Sequence, residues 1–468
     1  MKNLMVDFYE LTMGQVYFKE KIDKKMASFD IFFRKNPDNA NFAIAGGISD
    51  IIDFILNFHY SNSDIEYLKS LNLFSNDFLL ELKNLKFTGD VFSVKEGTII
   101  YPNEPIITVC APLLQAQLLE TALLNIFNFA SLIITKTARI VESAKGKNVM
   151  EFGSRRAQGF DASIQGAKFA FIGGCSGTAC TLTGKVYNIP VLGTMAHSFI
   201  QAFDNEYEAF QAYAKSFPDN CIVLLDTYDT INSGLKNAIK LFFEVLKPQG
   251  KTLKGVRLDS GNLVTLSKII REELDKNGLK TTQIIASNSL DEWKIQTILD
   301  DKAPIDCFGV GENLICAKSN PVFGGVYKLV AIEKDNKMIP KIKISEDIDK
   351  VTNPALKSLY RVYDDKCNMI EDIIALTNEK INFLQNNGKK IEKLQIKYIE
   401  NGLLINKPLN IIEAKQNVKE NLKQIPNTAR QLDFKWKYPV KLTSHLQVIK
   451  NTLLEEHILN SEANIFVK

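Results

Sequence analysis

His197 lies in a turn of small residues, Gly193-Thr194-Met195-Ala196-His197-Ser198, directly after an apolar run, and the other three histidines (His59, His445, His457) have no such setting. An imidazole there can serve as general base or as a nucleophile toward phosphorus, one ring nitrogen attacking while the other is held. Asp226, at the end of the next apolar run, is the natural orienting partner. A lone histidine is more often a satisfied core or capping residue, so its company matters. Glu151-Phe152-Gly153-Ser154-Arg155-Arg156 offers two adjacent arginines, which suit a carboxylate or phosphate through bidentate hydrogen bonds and equally suit ordinary ion pairs on a helix. Ile172-Gly173-Gly174-Cys175-Ser176-Gly177-Thr178 reads as a strand end whose small residues let a ligand approach amides at a helix N-terminus, or as mere turn geometry. Asp226-Thr227-Tyr228-Asp229 brings carboxylates suited to sugar hydroxyls or magnesium. Arg257-Leu258-Asp259-Ser260-Gly261 sets a cation beside an anion, as a phosphorylated sugar requires. Ser287-Asn288-Ser289 and Gly309-Val310-Gly311 look like the paired phosphate cradle of the last two turns of a barrel.

These turns need strands behind them. Apolar runs at 148–152, 168–172, 189–192, 221–225, 255–258, 283–286 and 305–308 alternate with helical stretches, which predicts an α/β fold. Its first form is an irregular or incomplete (β/α) barrel, its second an open Rossmann-like sheet. Residues 1–135 read as an α+β domain, 136–325 as the barrel with its catalytic face, and 326–468 as a β-rich segment. A long apolar helix is expected over 111–136, strands over 327–332 and 359–363, and a solvated surface helix within the Lys/Glu/Asn-rich stretch 378–423.

The totals narrow the partners. At 468 residues, 45% apolar, 24% charged and with a net charge of +3, the chain suits a globular enzyme of small molecules and gives no basic run for nucleic acid. Seven cysteines without a Cys-x-x-Cys pair point to a reduced, cytoplasmic setting. The stretch 118–135 is interrupted by Glu120, Asn125 and Asn128, so it is expected in a core and not in a membrane.

Several segments together resemble the nicotinate phosphoribosyltransferases: Val6-Asp7-Phe8-Tyr9-Glu10-Leu11-Thr12-Met13, Phe32-Phe33-Arg34-Lys35-Asn36-Pro37, Glu120-Thr121-Ala122-Leu123-Leu124-Asn125, and Glu151 through Gly159. The His197 turn, Arg257 through Gly261, Lys343-Ile344-Ser345-Glu346 with Lys350-Val351-Thr352, and Tyr360-Arg361-Val362-Tyr363 extend the match. Only about 375–430 is poorly covered. The resemblance implies the type II phosphoribosyltransferase fold, usually dimeric, in which residues 326–468 would complete the α+β domain. It implies ligase-type, ATP-coupled transfer of phosphoribosyl from 5-phosphoribosyl 1-diphosphate to nicotinate, with magnesium, giving nicotinate mononucleotide and pyrophosphate in NAD salvage. It implies a transient phosphohistidine at His197. By position, Phe152 and a Tyr9 from the partner subunit would stack the pyridine ring, and Arg155 would face its carboxylate. Asp226 and Asp259 would serve ribose, metal or His197, and Arg257 the diphosphate. Ser287, Asn288 and Ser289 with Gly309 and Gly311 would hold the 5-phosphate. Many bacterial members carry an aspartate where this chain has Asn288-Ser289.

The nearest alternative is a nicotinamide phosphoribosyltransferase. That relative uses an acid at the position of Ser176, where a carboxylate would repel nicotinate, so Ser176 favours the acid substrate. A quinolinate phosphoribosyltransferase would need more basic groups and has no use for His197 as a phosphate acceptor. A non-catalytic ligand-binding homologue would be expected to have lost some of these side chains.

Overall fold

The strands that carry the site turns belong to one sheet. The computed structural model describes residues 3–345, 350–380 and 390–465, with side chains to 457; Glu346 of the Lys343 motif and residues 381–389 of the polar stretch lie outside the described residues. The chain divides into two units, Ile133–Pro321 and a second built from both ends, Met1–Leu132 with Val322–Lys468.

In the first unit a six-stranded sheet runs in the order Gly177–Thr178, Asn148–Glu151, Cys307–Val310, Gln283–Ala286, Gly255–Leu258, Ile222–Leu224. Every pairing in it is parallel. All its strand ends therefore point their following turns the same way, as a parallel α/β sheet requires. The apolar runs at 255–258 and 283–286 become strands over those same residues. Two expectations fail. Residues 168–172 are not a strand but the end of the helix Phe160–Ile172, buried from Gly166 onward, and the second strand is the short Gly177–Thr178. The run at 189–192 contributes only a single parallel bridge, Thr178 to Val191. The sheet is thus an incomplete, irregular barrel with helices around it, the architecture of the type II phosphoribosyltransferases.

In the second unit a seven-stranded antiparallel sheet interleaves the chain ends: Met26–Phe33 lies between Ile107–Pro112 and Gly325–Lys334. Lys357–Tyr363 and Met369–Leu376 pair in a separate four-stranded sheet. The helix expected within 378–423 is Ile411–Lys423, and it is not solvated all round, because Ala414, Val418 and Leu422 bury one stripe at helical spacing. The apolar stretch at 111–136 forms Leu113–Gln117 and Glu120–Ser143. Leu118, Leu123, Phe127, Ile134 and Ala138 are buried, Glu120 accepts from Gln117 Nε2 at 2.9 Å, and Asn128 Oδ1 accepts from Gly325 N at 3.0 Å. Two of the polar interruptions that would be costly in lipid are therefore answered inside protein.

Candidate active site

The turns after the parallel strands enclose a cleft of about 350 Å³. At one side stands the first strand end, lined by Phe152, Arg155 and Arg156. Its conformation is fixed from beneath. Glu151 is fully buried, accepts the Gly153 N–H on one oxygen, and accepts the Thr178 hydroxyl on the other at 2.5 Å. Burial raises its carboxyl above the ordinary range, and these two hydrogen bonds oppose that shift. One edge of the Phe152 ring packs close to Gly309: a Cβ there would come within 2.6 Å of the ring, so a side chain at this position would push Phe152 aside. The two arginines differ. Arg156 Nε lies 3.8 Å from Glu312, the ion-pair alternative, whereas Arg155 makes no ion pair among the described residues.

Arg257, in the strand Gly255–Leu258, reaches the same cleft. Its Nη1 donates to Thr194 Oγ1 at 3.1 Å, while its Nε is buried with no acceptor. Burial lowers its proton affinity, and Asp259 and Asp226 work against that. Asp259 is held by its neighbours. Its N–H donates to Asp226 Oδ2 at 2.9 Å, Ser260 Oγ donates to the same oxygen at 2.6 Å, and Ser287 Oγ donates to Asp259 Oδ1. Asp226 Oδ1 is buried and has no partner.

His197 opens the short helix His197–Gln201. Nδ1 is 3.1 Å from Thr227 Oγ1 and Nε2 is 3.8 Å from Asp259 Oδ2. The orienting role expected of Asp226 is therefore filled here by Thr227, with Asp226 one step back, bracing Asp259. Asp229 is spent on capping: its carboxylate accepts the N–H groups of Ile231 and Asn232 at the start of Thr230–Leu235.

Ser287, Asn288, Ser289, Gly309 and Gly311, the residues expected to cradle the 5-phosphate, also line the cleft, with Gly309 against Phe152. Ser176 is not brought there. Because 168–172 is helical, the Gly173-Gly174 turn follows a helix instead of opening one, and the Ser176 hydroxyl donates to the Val149 carbonyl at 3.0 Å. Tyr9 belongs to the other unit, where it is 44% exposed at the start of the helix Phe8–Lys19, with its hydroxyl bonded to Glu120. Thr194, Thr227 and Thr178 were not singled out by sequence reasoning; the signal available was only that each lies within a few residues of one that was.

Family models match two stretches: the nicotinate phosphoribosyltransferase (NAPRTase) N-terminal domain over residues 4–128, and the nicotinate phosphoribosyltransferase (NAPRTase) family over 147–367. A nicotinate phosphoribosyltransferase of Bacillus subtilis is 40% identical over 462 residues, covering 94% of this chain and 93% of its own. One from Caenorhabditis elegans is 34% identical, covering 92% and 88%. The crystal structure of the human nicotinic acid phosphoribosyltransferase superposes with a TM-score of 0.84 at 26% identity, over 96% of this chain and 99% of that one. With its parallel sheet, cleft and matched motifs together, the chain belongs to the nicotinate phosphoribosyltransferase family, and is an enzyme.

Proposed function

We propose that the enzyme transfers the phosphoribosyl group of 5-phosphoribosyl 1-diphosphate to the ring nitrogen of nicotinate, forming nicotinate mononucleotide and pyrophosphate in NAD salvage. The observation that carries this reading is the charge layout of one cleft. Among the described residues Arg155, which lines the cleft with Phe152, has no ion pair, and the half-buried Arg257 keeps an Nε–H without an acceptor. An unpaired cation suits the carboxylate of nicotinate better than the neutral amide of nicotinamide. Phe152 supports one face of the pyridine and leaves its nitrogen free to attack the ribose carbon. Arg257 receives the charge that builds on the departing diphosphate.

Asp226 and Asp259 supply hard carboxylate oxygens, one of them buried and unpartnered, and this donor set fits magnesium, which takes one or two carboxylates and substrate phosphates. When bound, the ion would offset diphosphate charge. ATP coupling would run through His197: in the tautomer that donates from Nδ1 to Thr227 Oγ1, 3.1 Å away, the lone pair is on Nε2. Its attack on the γ-phosphorus forms an N–P bond and releases ADP, and later hydrolysis returns free imidazole.

The cleft presents one aromatic face, so a second is expected from Tyr9 of another copy in a homodimer. Tyr9, Phe8 and Met5 are exposed on the unit built from the chain ends, and Phe160, 91% exposed, follows the Arg155 turn. Large aromatics left in water are typical of a surface that is covered in use. Seven free thiols fit a cytoplasmic setting.

The test is pyrophosphate release by purified protein with nicotinate, nicotinamide and quinolinate in parallel, with and without ATP. Release with nicotinate and ATP hydrolysis in step with it are expected. His197→Ala should abolish hydrolysis and labelling from γ-labelled ATP while leaving slow ATP-independent transfer, because the diphosphate is already a leaving group. A variant still hydrolysing ATP in step with product overturns the histidine assignment; preferential use of nicotinamide overturns the substrate.

A further inference from the structure

The turn after Gln283–Ala286 contains two consecutive non-glycine residues in the left-handed region, Asn288 at φ 117° and Ser289 at φ 46°. L-residues adopt such angles at a cost, and a pair of them persists only where the surroundings over-determine the backbone. Here the surroundings are two side chains. The Ser289 carbonyl accepts from Lys294 Nζ at 2.8 Å and from Asn313 Nδ2 at 2.9 Å. The same Asn313 amide donates to the Leu290 carbonyl at 3.1 Å. Asn313 belongs to the short helix Glu312–Ile315 that follows Gly311, so a single amide ties the last two turns of the cleft together.

The tie has a directional consequence. In a planar trans peptide the carbonyl and the following N–H point opposite ways, so fixing the carbonyls of Ser289 and Leu290 also fixes the N–H groups of Leu290 and Asp291. Successive amides with fixed directions around a left-handed residue form an anion-binding concavity. Ser287, Asn288 and Ser289 line the cleft, whereas neither Asn313 nor Lys294 does.

We propose that Asn313, assisted by Lys294, is a positioning residue for the sugar-phosphate end of the cleft. It holds the 287–290 turn in its strained form, and so sets affinity for 5-phosphoribosyl 1-diphosphate without affecting nicotinate. This inference rests on the proposed function, and the measurements separate the two. Asn313→Ala should raise KM for 5-phosphoribosyl 1-diphosphate by about ten-fold or more, the scale of two lost hydrogen bonds to one ligand-binding turn. The KM for nicotinate should stay within about two-fold, since no uniform binding to that substrate is removed. Adding Ser289→Gly to the Asn313→Ala enzyme should recover much of the loss, because glycine adopts positive φ without the clamp. A generally destabilised active site would not be rescued in this way. Asn313→Asp, similar in size but without the donors, and Lys294→Met give the same readout should the alanine variant fold poorly.

Calorimetric titration of 5-phosphoribosyl 1-diphosphate into wild type and variants completes the test. Weaker binding by Asn313→Ala with rescue by Ser289→Gly supports the clamp. Wild type that binds nothing overturns the phosphoribosyl reading of the cleft. Variants that bind as tightly as wild type, lose both substrates equally, or gain nothing from the glycine overturn the clamp alone.

Discussion

A fully buried arginine in one unit and a half-buried one in the other are treated in opposite ways. Arg361, in the unit made of the chain ends, is fully buried and closed off by Asp372 in a bidentate pair, Nε to Oδ1 at 2.8 Å and Nη2 to Oδ2 at 2.6 Å, with the Ile99 carbonyl and the Tyr438 hydroxyl completing the cluster. Burial disfavours its charge, yet Asp372 outweighs that and its pKa stands well above the ordinary value. Arg257, in the sheet unit, has only a threonine hydroxyl, and burial wins: its pKa moves down. A buried cation locked to its own carboxylate belongs to the architecture, even though Arg361 Nη1, like Arg257 Nε, is buried without an acceptor among the described residues. One left short of a counter-ion is poised for a ligand that brings the missing anion.

The sharpest way to break this contrast is to remove each cation. Arg257→Met should lower kcat/KM by about a hundred- to thousand-fold, as expected for a lost donor to developing charge, while its melting temperature holds or rises. Arg361→Met should do the reverse. It strands Asp372 and costs about 3–5 kcal/mol of stability, with the surviving folded fraction near wild-type activity. Denaturant titration beside steady-state kinetics checks both, and the contrast collapses if the two variants show the same pattern.

Only the Arg257 side of this contrast could be read in the chain. Val256-Arg257-Leu258-Asp259 has a cation interrupting a short apolar run, bounded by a lysine-rich stretch and a serine-glycine turn, which identifies both the strand and its catalytic end. The same rule misled at Lys168-Phe169-Ala170-Phe171-Ile172. A helix end buried on every side shows the same unbroken apolar run as a buried strand, and periodicity cannot separate them. That error displaced the helix N-terminus inferred around Gly173 and, with it, the placement of Ser176. The Thr227 contact to His197 and the Asn313 clamp were not legible for another reason. Each depends on where two turns distant in sequence meet, and a short polar side chain in a turn gives no pattern of its own.

Arg155 sharpens the contrast within the cleft, since its neighbour Arg156 lies near Glu312 and Arg155 has no such partner. Arg155 is exposed without substrate, and Arg155→Ala should weaken nicotinate by roughly 2–4 kcal/mol if the bound ring buries its carboxylate against the guanidinium. Arg156→Ala should do much less. Comparison of the two Michaelis constants decides it, and equal effects would place the carboxylate elsewhere.

Tyr9 asks whether the unit built from the chain ends enters the chemistry at all. Tyr9→Ala should fold, remain dimeric and lose about ten-fold or more in kcat/KM, the scale of a lost aromatic stack with its buried area. Mixing Tyr9→Ala subunits with Phe152→Ala subunits should restore activity, because one site of each mixed dimer keeps both rings. Verified mixed dimers without that recovery, or a fully active monomer, would remove Tyr9 from the site.

The smallest effect concerns a buried acid that, unlike Asp372, has no cation to close it. Glu10 is fully buried in the first turn of Phe8–Lys19. One oxygen accepts the Thr121 hydroxyl at 2.5 Å and the N–H groups of Asp7 and Thr121 at 3.2 Å each, while the other is buried without a partner. Burial lifts its carboxyl from 4.5 to about 7, although the Thr121 and Asp7 hydrogen bonds act the other way. The folded state therefore keeps this proton to higher pH than the unfolded chain does. Stability from this group is fully present below the unfolded value and is lost as pH rises through the folded one, from about 4.5 to about 7. Melting temperature should accordingly fall across that window, with a shallower slope in Glu10→Gln, whose amide cannot ionise and can still accept from Thr121. Parallel slopes in the two proteins would mean that Glu10 ionises as freely folded as unfolded, and that this unpartnered oxygen, unlike the orphan donor of Arg257, has no energetic consequence.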